Sequence, residues 1–406
     1  MNANIGREVK TPFNQDDKKI SIALMSSFVV LTIQYLILIY FNLIETNTGS
    51  YIQLLSKSLV GLTFIYALPA VLRRSKIKFL IVYFVSIFIF LLQYVIFPEN
   101  RYYVVDLLFP FYFMSLPAFI YTLSIRNFSI FKEVIRRASY IVFAVGFIIS
   151  MLTFMKKISI GSYSMSLSYY MLLPTLVFFN EIIESFSIKS FAFLILSLLI
   201  ILSLGSRGAI LCILIFVFLK FFSPHSKKTF TKIIIYFSIL GIGILALIFL
   251  DEIIELLYNL LLSYGINSRT LRLFLREGVH LSGRDKIYES VIAEILQRPL
   301  LGIRIAGDRR IIDGSYTHNF FIEILGNFGI FVGFIISITM VFLIIRSLLT
   351  KDKEKYDFII MWLSLGFVHL LVSSSYLTDI KFWIFLGVMM NLIKRRKHYK
   401  ANNMRE

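Results

Sequence analysis

The sequence predicts an all-α polytopic membrane protein with about 12 transmembrane helices and one large external loop. Three observations carry this reading. Of the 406 residues, 58% are hydrophobic, and the mean hydropathy is +0.79, beyond what a soluble core shows. Apolar runs recur along most of the chain between short polar connections. Basic residues gather in alternate connections, the pattern that orients a bundle in a membrane.

The expected spans are 20–44, 51–72, 77–97, 104–124, 138–155, 167–180, 188–204, 208–222, 229–250, 319–348, 357–373 and 379–393. The sixth to eighth are short. Counted from a cytoplasmic N-terminus, the inner connections hold clusters such as Arg73, Arg74, Lys76 and Lys78, then Arg126, Lys132, Arg136 and Arg137. The last inner cluster is Lys394, Arg395, Arg396 and Lys397. Short outer connections are nearly free of positive charge, with Arg101, Lys156 and Lys157 as exceptions. The inner connection after the sixth span, 180–188, fits least well, with two glutamates and little positive charge. Both termini are expected in the cytoplasm. The first apolar run is long and lacks a small-residue cleavage site, so it reads as a retained helix.

Membrane orientation accounts for the formal net charge of +18. The charge is spread over separated loops, so nucleic acid is not implied as a partner; membrane lipids are. The single cysteine, Cys212, lies within an apolar segment, which rules out disulfides and thiolate metal sites. The organisation expected is membrane helices over 1–250, an external loop over 251–318, and further helices with a basic cytoplasmic tail over 319–406.

The external loop is not linker-like. "DEIIELLYNLLLSYG" and "RDKIYESVIAEILQRP" both place apolar residues at helical spacing, and Pro299 stops the second. Two or three amphipathic helices are expected there. Its cations are arginines at 269, 272, 276, 284, 298, 304, 309 and 310, with Lys286 the single lysine. Acidic residues balance them, so the loop is not a polybasic lipid anchor. The planar guanidinium suits bidentate phosphate or carboxylate recognition, although salt bridges within amphipathic helices also use it.

Three short motifs carry candidate chemistry. In "LSGRDKIY", Ser282 and Asp285 form a capping-box pattern with Arg284 in the first turn. A cation at the positive end of a helix is unfavourable unless an anion sits there, so a phosphate site is one reading. A pair with a neighbouring carboxylate is the other. In "LSLGSRGAIL", Arg207 is the lone charge between Lys189 and Lys220. Insertion of such an arginine costs ~2.5–3.5 kcal/mol, which marks a functional site unless the side chain snorkels to the interface. In "SYTHNFFIEILGNFG", His318 stands before an apolar run. Nearby arginines and the positive helix end disfavour the imidazolium, leaving a neutral ring able to take a proton from a hydroxyl. Interfacial decoration is its plainer explanation. His225, His280, His369 and His398 lack this context.

Together, "GSRGA" at 205–209, "SGRDKIY" at 282–288, "RPLLGI" at 298–303 and "HNFFIEILGNFGI" at 318–330 resemble the O-antigen polymerase (Wzy) and O-antigen ligase (WaaL) superfamily. The resemblance covers roughly the C-terminal half. The His-Asn pair and following glycine are met by His318, Asn319 and Gly329. The second glycine of the pattern is Val332 here, or is displaced to Gly333.

The resemblance implies a GT-C-like helical glycosyltransferase in a bacterial inner membrane. Its donor would be an undecaprenyl-diphosphate-linked oligosaccharide, and its acceptor a hydroxyl at the outer face. It places the catalytic histidine on His318 and the diphosphate-binding arginines on Arg207 and Arg284. Asn319, Glu323, Ser282, Arg298, Arg304 and Tyr288 are expected to support them. Tyr288, Tyr316, Phe320 and Phe321 would stack on sugar or polyprenyl chain, or simply pack between helices.

No outer connection holds an Asp-x-Asp pair, and Asp251, Glu252 and Asp308 make no convincing cage. A metal-free, inverting displacement with no cofactor is therefore expected. Polymerase is the preferred reading, with a chain-length regulator as a possible partner. Ligase transfer to lipid A-core is the alternative. A non-enzymatic polysaccharide transporter is less favoured, because it would carry charges near the midplane and an internal repeat.

Overall fold

The computed structural model describes residues 12–44, 46–155, 157–158, 165–204, 206–223, 230–263, 275 and 284–403. Among them there are helices and no strands. The chain begins with α1 (Pro12–Tyr40) and α2 (Asn47–Ile96). Then come α3 (Pro98–Ser124), α4 (Phe128–Phe154), α5 (Met165–Glu184) and α6 (Ile188–Ser203). Next are α7 (Arg207–Phe221), α8 (Phe230–Ile248), α9 (Leu250–Ser263) and α10 (Arg284–Gln297). The last four are α11 (Gly307–Ile311), α12 (Phe320–Leu348), α13 (Lys353–Val372) and α14 (Ile380–Asn403).

Among the described residues, seven helices are long and apolar enough to cross a membrane: α1 to α5, α12 and α13. Shorter apolar helices cover Ile188–Leu202, Tyr236–Leu245 and Ile380–Ile393. Each of the twelve expected segments falls on helix, two of them on the arms of α2. Those arms meet at Ser75, whose φ of −148° and ψ of 32° break the helix. At this bend Arg74 pairs with Asp17 of α1 at 2.5 Å and donates to the Ser124 carbonyl at 3.0 Å. Beyond the far end of the second arm, Asn100 donates to the Ile303 carbonyl at 3.0 Å. The bend therefore lies at one end of the bundle, and Asn100 lies at the end that carries α9 to α11.

Aromatic rings fill the bundle centre. Trp362 stacks on Phe131 with ring centroids 6.0 Å apart and meets Phe28 edge-on at 6.0 Å. Outward faces are also apolar, as at Phe84 (72% exposed) and Ile335 (64% exposed), which in water would be a liability and in lipid is the favoured arrangement.

The end away from α9 to α11 is rich in ion pairs. Buried Lys220 pairs with Asp357 at 2.6 Å and donates to Asn180 at 2.6 Å. The acidic 180–188 connection is answered here: Glu181 takes Arg136 at 2.7 Å, and Glu184 takes Lys132 at 2.8 Å. Its lack of positive charge is offset by the basic face of α4.

Candidate active site

Helix α7 opens the site. The Ser206 hydroxyl caps it by accepting from the Ala209 amide at 3.5 Å. Gly208 is needed by close approach: a Cβ there would stand 2.1 Å from the Tyr169 hydroxyl and 3.0 Å from Val372 Cγ2. Arg207, the first helical residue, pairs with Asp251 of α9 at 2.9 Å. Both side chains are more than a third exposed, so water screens the pair.

Arg284 is the first described residue of α10. Its Nη1 donates to the Val372 carbonyl oxygen at the C-terminal end of α13. A carbonyl at the negative end of one helix thus offsets a cation at the positive end of another. The expected Ser282 cap lies outside the described residues, as do Arg269, Arg272, Arg276 and His280.

His318 is held from both sides. Before it, the Asp308 carboxylate accepts from the Thr317 amide at 3.2 Å and from the Thr317 hydroxyl at 3.0 Å. After it, the Asn319 side chain caps α12 by accepting from the Phe321 amide at 3.0 Å and the Ile322 amide at 3.3 Å. Asn319 also donates to the Leu371 carbonyl at 3.5 Å. Between these anchors His318 adopts a φ of +55°, a left-handed conformation uncommon outside glycine. Its ring lies 4.2 Å from that of Tyr316. Its Nδ1 is buried without a hydrogen-bond partner among the described residues. Burial, then the charges of Arg284 and His369, push the imidazole down to about 4.

Two clusters stand beside this histidine: one, at His369, that sequence reasoning passed over, and one around the expected supporting residue Glu323. His369 Nδ1 meets the Asp379 carboxylate at 2.9 Å, with Lys381 3.6 Å from the same oxygen. The Tyr169 ring lies 4.1 Å from the His369 ring. Below, buried Glu323 accepts from the Ser375 hydroxyl and from the Tyr376 amide at 3.2 Å. Arg309 completes that cluster, 3.9 Å from Glu323 and donating to Ser375 at 3.0 Å. Glu323 therefore fixes the 373–379 connection. A sequence signal existed for Asp379, the one acidic residue from 374 to 393, at the start of the last apolar run.

Other expected supporting residues sit apart. Arg298 is exposed in the turn after α10, and Tyr288 is half-buried on α10 itself. The Arg304 guanidinium lies 4.5 Å from the Phe97 ring centre. The surrounding "RPLLGI" stretch is an interlock of backbones. α12 breaks at Gly329 (φ 76°, ψ 170°), and the Gly326 carbonyl accepts from the Ile303 and Arg304 amides at 2.8 and 3.1 Å. The Ile330 amide donates to the Pro299 carbonyl at 2.8 Å. Gly333, not Val332, is the crowded position after the break: its Cβ would stand 2.8 Å from the Leu325 Cα.

Gly208 next to Arg207, the Arg284 guanidinium, and Asn319 next to His318 thus meet the last turn of α13 around Leu371 and Val372. Asp251 of α9 pairs with Arg207, and His369, paired with Asp379, lies at the start of the same last stretch of α13. Residues 192–337 match the family model described as O-antigen ligase. No curated protein and no solved structure matches the chain. The matched stretch contains Arg207, Arg284 and His318, and it carries the chain's likeness to O-antigen ligases, consistent with the superfamily of O-antigen polymerases and ligases.

Proposed function

We propose that the chain is a polysaccharide polymerase of the outer face of a bacterial inner membrane. It transfers a growing glycan from undecaprenyl diphosphate to a hydroxyl of a lipid-linked repeat unit, in a GT-C-like arrangement of helices. One observation carries this reading: Gly208 beside Arg207, the Arg284 guanidinium, and Asn319 beside His318 all meet at the Leu371–Val372 turn, with Arg284 close enough to lower the His318 pKa.

The chemistry follows from those parts. Arg207 and Arg284, with the helix ends behind them, hold the donor diphosphate and meet the charge that develops as it leaves. A ring nitrogen of His318 takes the proton of the acceptor hydroxyl. The acceptor oxygen bonds to the anomeric carbon, the anomeric C–O bond to phosphate breaks, and its electron pair leaves with undecaprenyl diphosphate. A single in-line displacement inverts the anomeric centre. Arginine cations supply the counter-charge, so no metal is required. Before donor binds, Asp251 holds Arg207, and exchange of that carboxylate for phosphate is one ion pair for another.

Purified protein in lipid vesicles, supplied with lipid-diphosphate oligosaccharide, tests the reading. A ladder of products on a gel is expected. No transfer product under any acceptor would overturn it. The description of the matching family model favours a second reading, ligase. Product formed only when lipid A-core is added would select it.

A further inference from the structure

Beside Tyr316 the surface opens into a groove of ≈ 460 Å³, lined by Tyr102, Tyr103, Asp106, Arg309, Asp313 and Tyr316. Its size is that of a small-molecule site, roughly 300–1,000 Å³. Tyr316 belongs to both places: it lines the groove, and its ring lies 4.2 Å from that of His318. Whatever occupies the groove therefore ends next to the candidate base.

The lining chooses the occupant. Tyrosine rings offer flat faces of negative potential, which suit the C–H faces of a pyranose, with a hydroxyl at the edge for hydrogen bonding. The Asp106 and Asp313 carboxylates offer oxygens able to take two donors each, as neighbouring sugar hydroxyls provide. The same two carboxylates at the rim repel a diphosphate. Arg309, the cation in the lining, is buried and already bonded to Ser375 and Asp308. The anion-binding arginines, Arg207 and Arg284, are not among its lining residues.

The walls are preformed, which lowers the ordering cost of binding. Asn100, in the first turn of α3, donates to the Ile303 and Ile305 carbonyls at 3.0 and 3.3 Å and accepts from Arg310 at 3.2 Å. Opposite, the loop wall turns at Gly314 with a φ of +88°, where a Cβ would meet Tyr103 Cε1 at 3.9 Å. Asp308, bonded to Thr317, ties that loop to the stem of His318.

We propose that this groove is the acceptor subsite, binding the terminal sugars of the incoming saccharide and directing their hydroxyl at His318. It rests on the glycosyl-transfer reading above.

The test uses the full chain in lipid vesicles. The donor is the lipid-diphosphate oligosaccharide extracted from membranes of the source cell. The acceptor is the oligosaccharide freed from that extract by mild acid and labelled at its reducing end. Tyr103→Ala and Asp313→Asn are expected to raise the acceptor KM about tenfold or more, and to leave the donor KM within about twofold. Tyr103→Phe, which keeps the ring, should stay within about threefold of wild type. Tyr102→Ala and Asp106→Asn change side chains that are exposed, so folding is safe and the same acceptor KM rise can be read. An unchanged acceptor KM in all four disruptive variants overturns the groove and makes the tyrosines interfacial anchors. A rise in donor KM instead overturns it in favour of a donor subsite. In both cases wild-type transfer still stands; failure of wild type to transfer at all would sink the parent reading, not the groove alone.

Discussion

The Arg284 guanidinium donates to the carbonyl oxygen of Val372, 88 residues further along the chain. That contact sets the positive end of α10 against the negative end of α13. It also leaves a guanidinium close enough to depress the His318 pKa. Arg284→Ala removes the proposed diphosphate partner and should lower kcat by about 10²–10³, the scale of losing one preorganised donor. Arg284→Lys keeps a charge and loses the planar fork, so it should rescue poorly. Near-normal polymer from the lysine variant, at matched membrane levels, would argue against direct phosphate contact.

Arg207 and Asp251 make the opposite case, a pair that donor binding must open. With both side chains partly exposed the pair is worth at most about 1 kcal/mol. Asp251→Asn should therefore lower the donor KM by up to about fivefold, with little change in kcat. A loss of activity in this variant would assign the carboxylate a role of its own.

Gly302 and Gly329 are where the loop and α12 interlock. A Cβ on Gly302 would stand 2.2 Å from the Gly326 carbonyl oxygen, and one on Gly329 2.3 Å from the Leu300 carbonyl oxygen. Both have positive φ, 64° and 76°. Alanine at either adds strain of about 1–3 kcal/mol to a backbone clash, so both variants should lose thermal stability in detergent. Gly241, with open space around it, is the control and should tolerate alanine. Equal melting of all three variants would mean the interlock carries no stability.

Much of this was legible in the sequence, for a physical reason. Lipid selects apolar composition, so helices announce themselves, and rare polar groups within or just before them stand out, as Arg207 and His318 did. What stayed hidden was relational. The α2 bend at Ser75 carries no proline or glycine, and the neighbouring arginines that pin it find Asp16 and Asp17 on another helix. "RPLLGI" entered as one of the motifs of the resemblance, with Arg298 and Arg304 expected to support the site, and in the fold it is an interlock of backbone against backbone. His369 was passed over because a histidine inside an apolar helix reads as a satisfied core residue. Only the fold brings Asp379 to 2.9 Å from it.

The depressed His318 pKa makes a prediction about acid. Its value of about 4, against an ordinary 6.5, keeps the imidazole neutral through the physiological range. In the free enzyme kcat/KM should stay flat as pH falls through 6.5 and drop only toward 4. Bound diphosphate adds negative charge nearby, so the acid limb of kcat should lie at higher pH than that of kcat/KM. Stability has a definite sign: between 6.5 and 4 the unfolded chain binds more protons at this site. The stability from the neutral ring is full above 6.5 and is lost as pH falls through 4. A kcat/KM limb near 6.5 would place the base in open water.

His318 itself gives the sharpest test. Its side chain is half-buried and Asn319, not His318, caps α12, so His318→Ala should insert and melt close to wild type. A neutral general base contributes about 10²–10⁴-fold, and the alanine variant should lose that much. His318→Gln keeps polarity and approximate size and cannot take up the proton, so it should not rescue turnover. Donor binding, proposed to depend on Arg207 and Arg284, should change far less than kcat in both variants. Near-wild-type polymer from the glutamine variant would reduce His318 to an acceptor-positioning residue. His369, 2.9 Å from Asp379, would then be the next group to test as the base.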